Sequence, residues 1–232
     1  MSRLLHLLRW DAVVQFRSGF WVAGFFATAP WAAVLYSLSQ KQADFILPAM
    51  IFLDVSLIGT MFMAGVYFLE KNEGSLQALA VTPVRTWEWM LSKLISLTII
   101  ATVMSVALVL VKKGTSAPWG YALLAFVCVN VTFTLIGFIV AAPFSRFTNF
   151  IVVNSLFFAI LNLPSLAFFD IHSSLYWLLP SQPALMMLRG AFTNMPLTEF
   201  AGYFAIQMVW IAAAFALCIH LFHRNVSQRL GG

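Results

Sequence analysis

The sequence predicts an all-α membrane protein with six transmembrane helices, on three observations. Hydrophobic residues make up 62% of its 232 positions and charged residues 9%, whereas roughly a quarter of a soluble domain is charged. Six apolar runs each reach about 20 residues, the length at which a helix crosses a hydrocarbon core while bonding its own backbone. The 13 Lys and Arg residues stand singly or in pairs, mostly at the ends of those runs. The net charge of +5 therefore marks topology and not nucleic-acid binding. Cys128 and Cys218 both fall inside apolar runs and behave as small buried residues.

The first element, residues 2–18, places Leu4, Leu5, Leu8, Ala12 and Phe16 on one helical stripe with Arg3, His6, Arg9 and Arg17 opposite. This pattern predicts an interfacial helix lying along the membrane surface, although Leu7 and Val14 fall outside the stripe. Because this patterned segment precedes a run long enough to span, the run reads as a retained first helix and not a signal peptide. The predicted spans are 19–38, 45–69, 87–111, 119–142, 149–169 and 197–222. Trp21, Trp87, Trp89, Trp119 and Tyr121 lie near span ends, where amphipathic rings favour the headgroup region. Pro164 should kink the fifth span.

Alternate loops divide the basic residues unequally. Arg3, Arg9, Arg17, Lys71, Arg85, Lys93, Arg146, Arg224 and Arg229 fall on one side, and Lys41, Lys112, Lys113 and Arg189 on the other. The bias puts both termini in the cytoplasm, with Lys112 and Lys113 against the trend. Residues 70–86 then form a cytoplasmic loop, and 143–148 a tight turn. Residues 170–196 are too apolar for a solvated external loop, so they should dip back as short re-entrant helices turned by Pro180 and Pro183. No internal repeat is visible, so 1–232 reads as one domain.

Residues 70–83 carry the most information. Ser75 can cap a short helix with Leu76, Leu79 and Ala80 on one face, and Thr82-Pro83 ends it. By local physics this is either a docking element or a loop folded on its own domain. The run Glu70-x-x-Glu73-Gly74-Ser75-Leu76-x-x-Leu79-x-x-Thr82-Pro83, followed by a Trp-rich helix start and Ser92-Lys93, resembles the coupling region of type-2 ABC exporter permeases. The chain looks most like small permeases of drug and fluoroquinolone export, around 52–54, 68–70 and 91–93. That resemblance implies a coupling helix between spans two and three and external helices between spans five and six. It also implies a paired second permease and a separate cytosolic ATPase, which carries ATP and magnesium.

The chain itself has no Gly-x-x-x-x-Gly-Lys-Ser/Thr loop for a nucleotide. On the resemblance, Glu70, Glu73, Gly74, Ser75, Leu76, Leu79, Pro83 and Arg85 form the ATPase-coupling site, with Leu76 and Leu79 entering a groove on the ATPase. Asp54 sits about nine residues into a span, near mid-membrane at about 1.5 Å per residue. A carboxylate there costs about 2.5–3.5 kcal/mol, so it should face the bundle interior, as a contact in the translocation path or as a packing bond. Asn130, Asn154 and Asn162 are further candidates for the path or for helix packing, with Thr134, Gly137, Ala141 and Ser165 on the same faces. His220 and His223 are three residues apart, but no Cys or carboxylate stands near them to complete a metal site. No catalytic arrangement presents itself. The leading expectation is the permease subunit of an inner-membrane exporter for an apolar or amphipathic substrate. The alternatives are a type-2 permease for haem, a lipid-linked glycan or a peptide, or a scaffold or channel subunit without an ATPase.

Overall fold

With no water in a hydrocarbon core, a chain this apolar satisfies its backbone by winding into helices. The computed structural model describes residues 2–80, 82, 84–169, 171, 173–193 and 195–224. Arg229, Pro83, Asp170 and His172 lie outside the described residues, as does the side chain of Leu79. The α-helices are α1 (Ser2–Arg17), α2 (Phe20–Ser37), α3 (Gln40–Asn72), α4 (Ser75–Ala80), α5 (Thr86–Lys113), α6 (Trp119–Ala141), α7 (Phe147–Leu161), α8 (Ser181–Phe192) and α9 (Leu197–Phe222). Three 3-10 helices, Gly114–Ser116, Leu163–Phe169 and Ser174–Leu178, join them. Helices α2, α3, α5, α6 and α9 are each long and apolar enough to cross a membrane. Helix α7 and the 3-10 segment after it make a sixth span if taken together, bent by 42°. The bend falls at Asn162, two residues before Pro164, whose missing N–H prevents the helix from running straight on.

Most boundaries follow the apolar runs, but α3 is longer than its run. Its 33 residues make a rod of roughly 50 Å at 1.5 Å per residue, well beyond the hydrocarbon thickness. A capping box begins it early: the Gln42 side chain accepts from the Ser39 N–H at 3.1 Å and from its hydroxyl at 2.7 Å. The far end continues through Glu70 and Lys71, and the Lys71 ammonium donates to the Phe144 carbonyl at 2.7 Å.

One sequence expectation, the placement of Trp89, is corrected here, while α1 keeps Leu5, Ala12 and Phe16 of its apolar stripe off the bundle. In α1 the side that meets the protein is the one bearing Asp11 and Gln15, both 2% exposed. Leu5 and Phe16, members of the apolar stripe, are among the most exposed residues of the helix. Polar partners on α5 decide that orientation, with the Gln15 amide donating to Ser96 Oγ at 2.7 Å. Trp89, expected at the headgroups, is buried and donates its indole N–H to Glu70 at 2.9 Å. Trp87 and Tyr121 are exposed near span ends, as their amphipathic rings suggest.

Helices α3 and α6 form the centre, with α8 packed on α6, α9 and α3 and nearly all of its residues buried. Pro180 stands just before α8 and Pro183 in its first turn. At the α3/α6 crossing a β-carbon on Gly137 would lie 2.6 Å from the Thr60 carbonyl oxygen, and one on Gly59 would lie 2.9 Å from Phe133 Cβ. Single polar contacts then join neighbouring helices. Thr28 donates to Asp54 at 3.0 Å, Asn130 to Thr102 at 3.3 Å, Ser56 to Asn162 at 3.1 Å, and Gln207 to Thr132. Such bonds contribute about 0.6 kcal/mol each on average in a bilayer.

The glycine contact gives a direct prediction. Gly137→Ala should lower stability by about 1–3 kcal/mol, because the α6 backbone must retreat from Thr60. Gly202→Ala on α9, where nothing lies within 4 Å of the new methyl, should be neutral or stabilising by up to about 1 kcal/mol. Thermal unfolding of the two purified variants in detergent measures the contrast.

Candidate functional site

The α3–α4–α5 connection is built on one permissive residue. Gly74 has φ of 76°, a left-handed conformation that costs a residue with a β-carbon about 1–2 kcal/mol, and there the chain leaves the long axis of α3. The first bond of α4 runs from the Ala78 N–H to the Gly74 carbonyl at 3.1 Å. Ser75, expected as the cap, is therefore the first residue inside the helix, and the turn is made by glycine. Six residues cannot hold a helix by propagation alone. Leu76 is 3% exposed and belongs to the hydrophobic core, so its burial, worth about 1.5–3 kcal/mol, presses α4 onto α3. This corrects the expectation that Leu76 enters a partner's groove. An isolated leucine beside an apolar bundle edge gains more by burying at once than by waiting for a partner.

Beneath α4 lies a cluster of buried charge. The Lys93 ammonium, seven residues into α5, forms ion pairs with Asp11 of α1 and Glu70 of α3. Ser92 donates to the second oxygen of Asp11, and the Trp89 indole to the second oxygen of Glu70. Each carboxylate thus has one ionic and one neutral donor, and the ammonium on α5 bridges α1 and α3. Lys93 is 3% exposed, so it does not serve as the surface topology marker that the loop count assumed. An aromatic platform surrounds the cluster: Trp89 lies 4.9 Å from Phe222 and 5.9 Å from Phe138 between ring centroids, and Tyr67 lies 5.3 Å from Phe138. These rings keep water away and raise the cost of leaving any of the three charges unpaired.

Away from this packing the loop presents a second, outward surface. Glu73, Ser75, Ala78 and Arg85 are exposed, while Glu70 turns inward. The Glu88 carboxylate accepts from the Arg85 N–H at 2.8 Å and starts α5. The site is a short helix anchored on α3 by one leucine, with a charge cluster joining α1, α3 and α5 nearby and a polar outer face.

The sequence matches the fluoroquinolones export permease protein family over residues 2–230. The chain belongs to this family. It is 30% identical to the fluoroquinolones export permease proteins of two strains of Mycobacterium tuberculosis, CDC 1551 / Oshkosh and ATCC 25618 / H37Rv. Each alignment runs over 243 positions and covers 100% of this chain and 99% of the relative. The chain is accordingly a membrane export permease, the membrane subunit of a transporter.

In this permease the other sequence candidates do not converge on one place. Asp54 on α3 is bonded to α2, Asn130 on α6 to α5, and Asn162 at the end of α7 to α3. Asn154 is buried on α7. An apolar groove of about 600 Å³ lies between α5, α6 and α9, lined by Leu94, Ile95, Val131, Met208 and Phe215, with Thr98 as its polar member. No charged side chain lines it. His220 and His223 are exposed at the end of α9. Asp11 escaped the sequence reading, although it is the lone acid of α1 and stands four residues before Gln15. That polar pair, set against a lysine inside an apolar run, was the available signal.

Breaking the cluster should be costly in a way that depends on which charge goes. Lys93→Met leaves two buried carboxylates uncompensated and should destabilise the permease by about 3–5 kcal/mol. Adding Asp11→Asn and Glu70→Gln to Lys93→Met should restore most of that loss. Thermal midpoints of the single and triple variants, with the exposed Arg85→Gln as a neutral control, decide the point.

Proposed function

We propose that this permease is the membrane half of an ATP-driven exporter, moved by a separate ATPase that docks on the outer face of α4. The observation that carries the reading is a six-residue helix pinned to α3 by Leu76, close after the charge cluster at Glu70, yet with Glu73, Ser75, Ala78 and Arg85 of the loop exposed to solvent. Displacement of α4 by a docked partner would reach α3 through Gly74, α5 through Arg85, and α1 through Glu70, Lys93 and Asp11. Two permease subunits would face each other with one ATPase each, ATP and magnesium residing on the ATPases. Nucleotide binding would bias the pair between two access states by drawing their α4 helices together. Both termini would be cytoplasmic in an inner membrane. The printed names of the relatives make a fluoroquinolone the first substrate to try, and an apolar or amphipathic drug suits the apolar groove.

Asp54 is assigned to this cycle as a polar contact near mid-membrane. Its Oδ2 accepts from Thr28, while its Oδ1 is buried with no hydrogen-bond partner among the described residues, a condition that costs about 1–3 kcal/mol. A group retained at such a cost serves more than packing.

Two experiments test the reading. Tagged permease purified from its native host should bring an ATPase with it, and fluoroquinolone should stimulate that ATPase in reconstituted vesicles. Glu73→Lys combined with Ala78→Trp should abolish export and ATPase recovery with little change in thermal midpoint. Full export by this variant would remove α4 from the mechanism. Separately, Asp54→Asn should raise the thermal midpoint, since an amide tolerates burial better, and lower fluoroquinolone export about tenfold or more. Unchanged export would leave Asp54 a packing residue.

A further inference from the structure

Helix α1 carries Arg3, His6, Arg9 and Arg17 and a single acid, Asp11. That acid is turned inward at 2% exposure, held by Lys93 and Ser92. His6, Arg9 and Arg17 are exposed. Burial of Asp11 therefore leaves the outward side of α1 with basic groups as its only ionisable ones.

The arrangement of that side is graded. At 100° per residue, Leu5, Ala12 and Phe16 form one outward edge, and His6, Trp10, Val13 and Arg17 form the next, with Arg9 between them. Leu5 is 62% exposed, Phe16 74% and Trp10 64%. Around the helix the apolar edge gives way directly to Arg9 and then to Val13, His6, Arg17 and Trp10, an apolar edge bordered by cations as at the passage from acyl chains to headgroups.

We propose that the outward face of α1 is a binding site for anionic phospholipid headgroups. Leu5, Ala12 and Phe16 enter the acyl region, and Arg9 and Arg17 hold the phosphates, for which guanidinium forks are well shaped. The apolar edge favours lipid over the acidic face of a protein partner, because Leu5 and Phe16 beside Arg9 need an apolar medium and not a solvated surface. The proposal stands apart from the export reading, since it concerns binding by the chain itself.

Delipidated full-length chain in detergent, titrated with phosphatidylglycerol or with phosphatidylcholine of the same acyl chains and read by native mass spectrometry, tests it. The unaltered chain should prefer phosphatidylglycerol. Arg9→Gln with Arg17→Gln should weaken that binding roughly thirtyfold, as two juxtamembrane charges imply, and erase the preference. Both side chains are exposed, so the thermal midpoint should hold. Arg9→Lys with Arg17→Lys should retain the preference. Equal binding of the two lipids by the unaltered chain, or an undiminished preference in the glutamine variant, overturns the proposal. So does a glutamine variant that loses a co-purifying protein while keeping its preference for phosphatidylglycerol, since the face then belongs to that protein.

Discussion

One ammonium group organises the α4 end of this permease. Between helices in a bilayer the hydrophobic effect gives little direction, because lipid tails are as apolar as leucine. Register must come from close packing or from polar bonds. Lys93, paired with both Asp11 and Glu70, supplies it for α1, which lies outside the spans, and for the end of α3 where the chain turns toward α4. The bond is unforgiving, since Lys93 and Asp11 are buried and Glu70 is partly so, where an unpaired charge is expensive. Three elements distant in sequence are therefore fixed relative to one another at a single point.

The opposite end of the bundle is fastened differently. The Lys112 ammonium donates to the Leu38 carbonyl left open at the end of α2, and Lys113 pairs with Asp44 at 3.0 Å near the start of α3. These lysines opposed the charge bias in the sequence because they are spent on the structure: one closes a helix end, the other a salt bridge. Lys71 does similar service at the α4 end by capping the turn at Phe144. Basic residues that looked alike in the sequence thus divide into surface charges, helix-end donors and one buried ion.

The helices were legible because apolar runs report the solvent that a segment meets. The last span, 197–222, coincides with α9, and the kink forecast from Pro164 falls at Asn162. Runs do not report neighbours, and that is where reading failed. Leu76 and Trp89 have the composition of a docking residue and a headgroup residue, and only the fold shows that a core stands within their reach. The extra length of α3 was hidden because its ends are polar, and the partner of Lys93 because Asp11 is 82 residues away. The pattern over residues 70–85 held inward and outward residues without distinguishing them. Glu70 and Leu76 face the bundle, whereas Glu73 and Arg85 do not.

The crossing of α3 and α6 also limits how the molecule can change shape. Backbone meets backbone there, with Gly137 against Thr60 and Gly59 against Phe133. Sliding one helix past the other by a turn would replace each glycine with a bulkier neighbour and drive it into the opposing chain. Shear along this seam is therefore closed to the protein, and the pair must tilt as one keel. Whatever shape the protein takes, these two helices travel together as an incompressible spine.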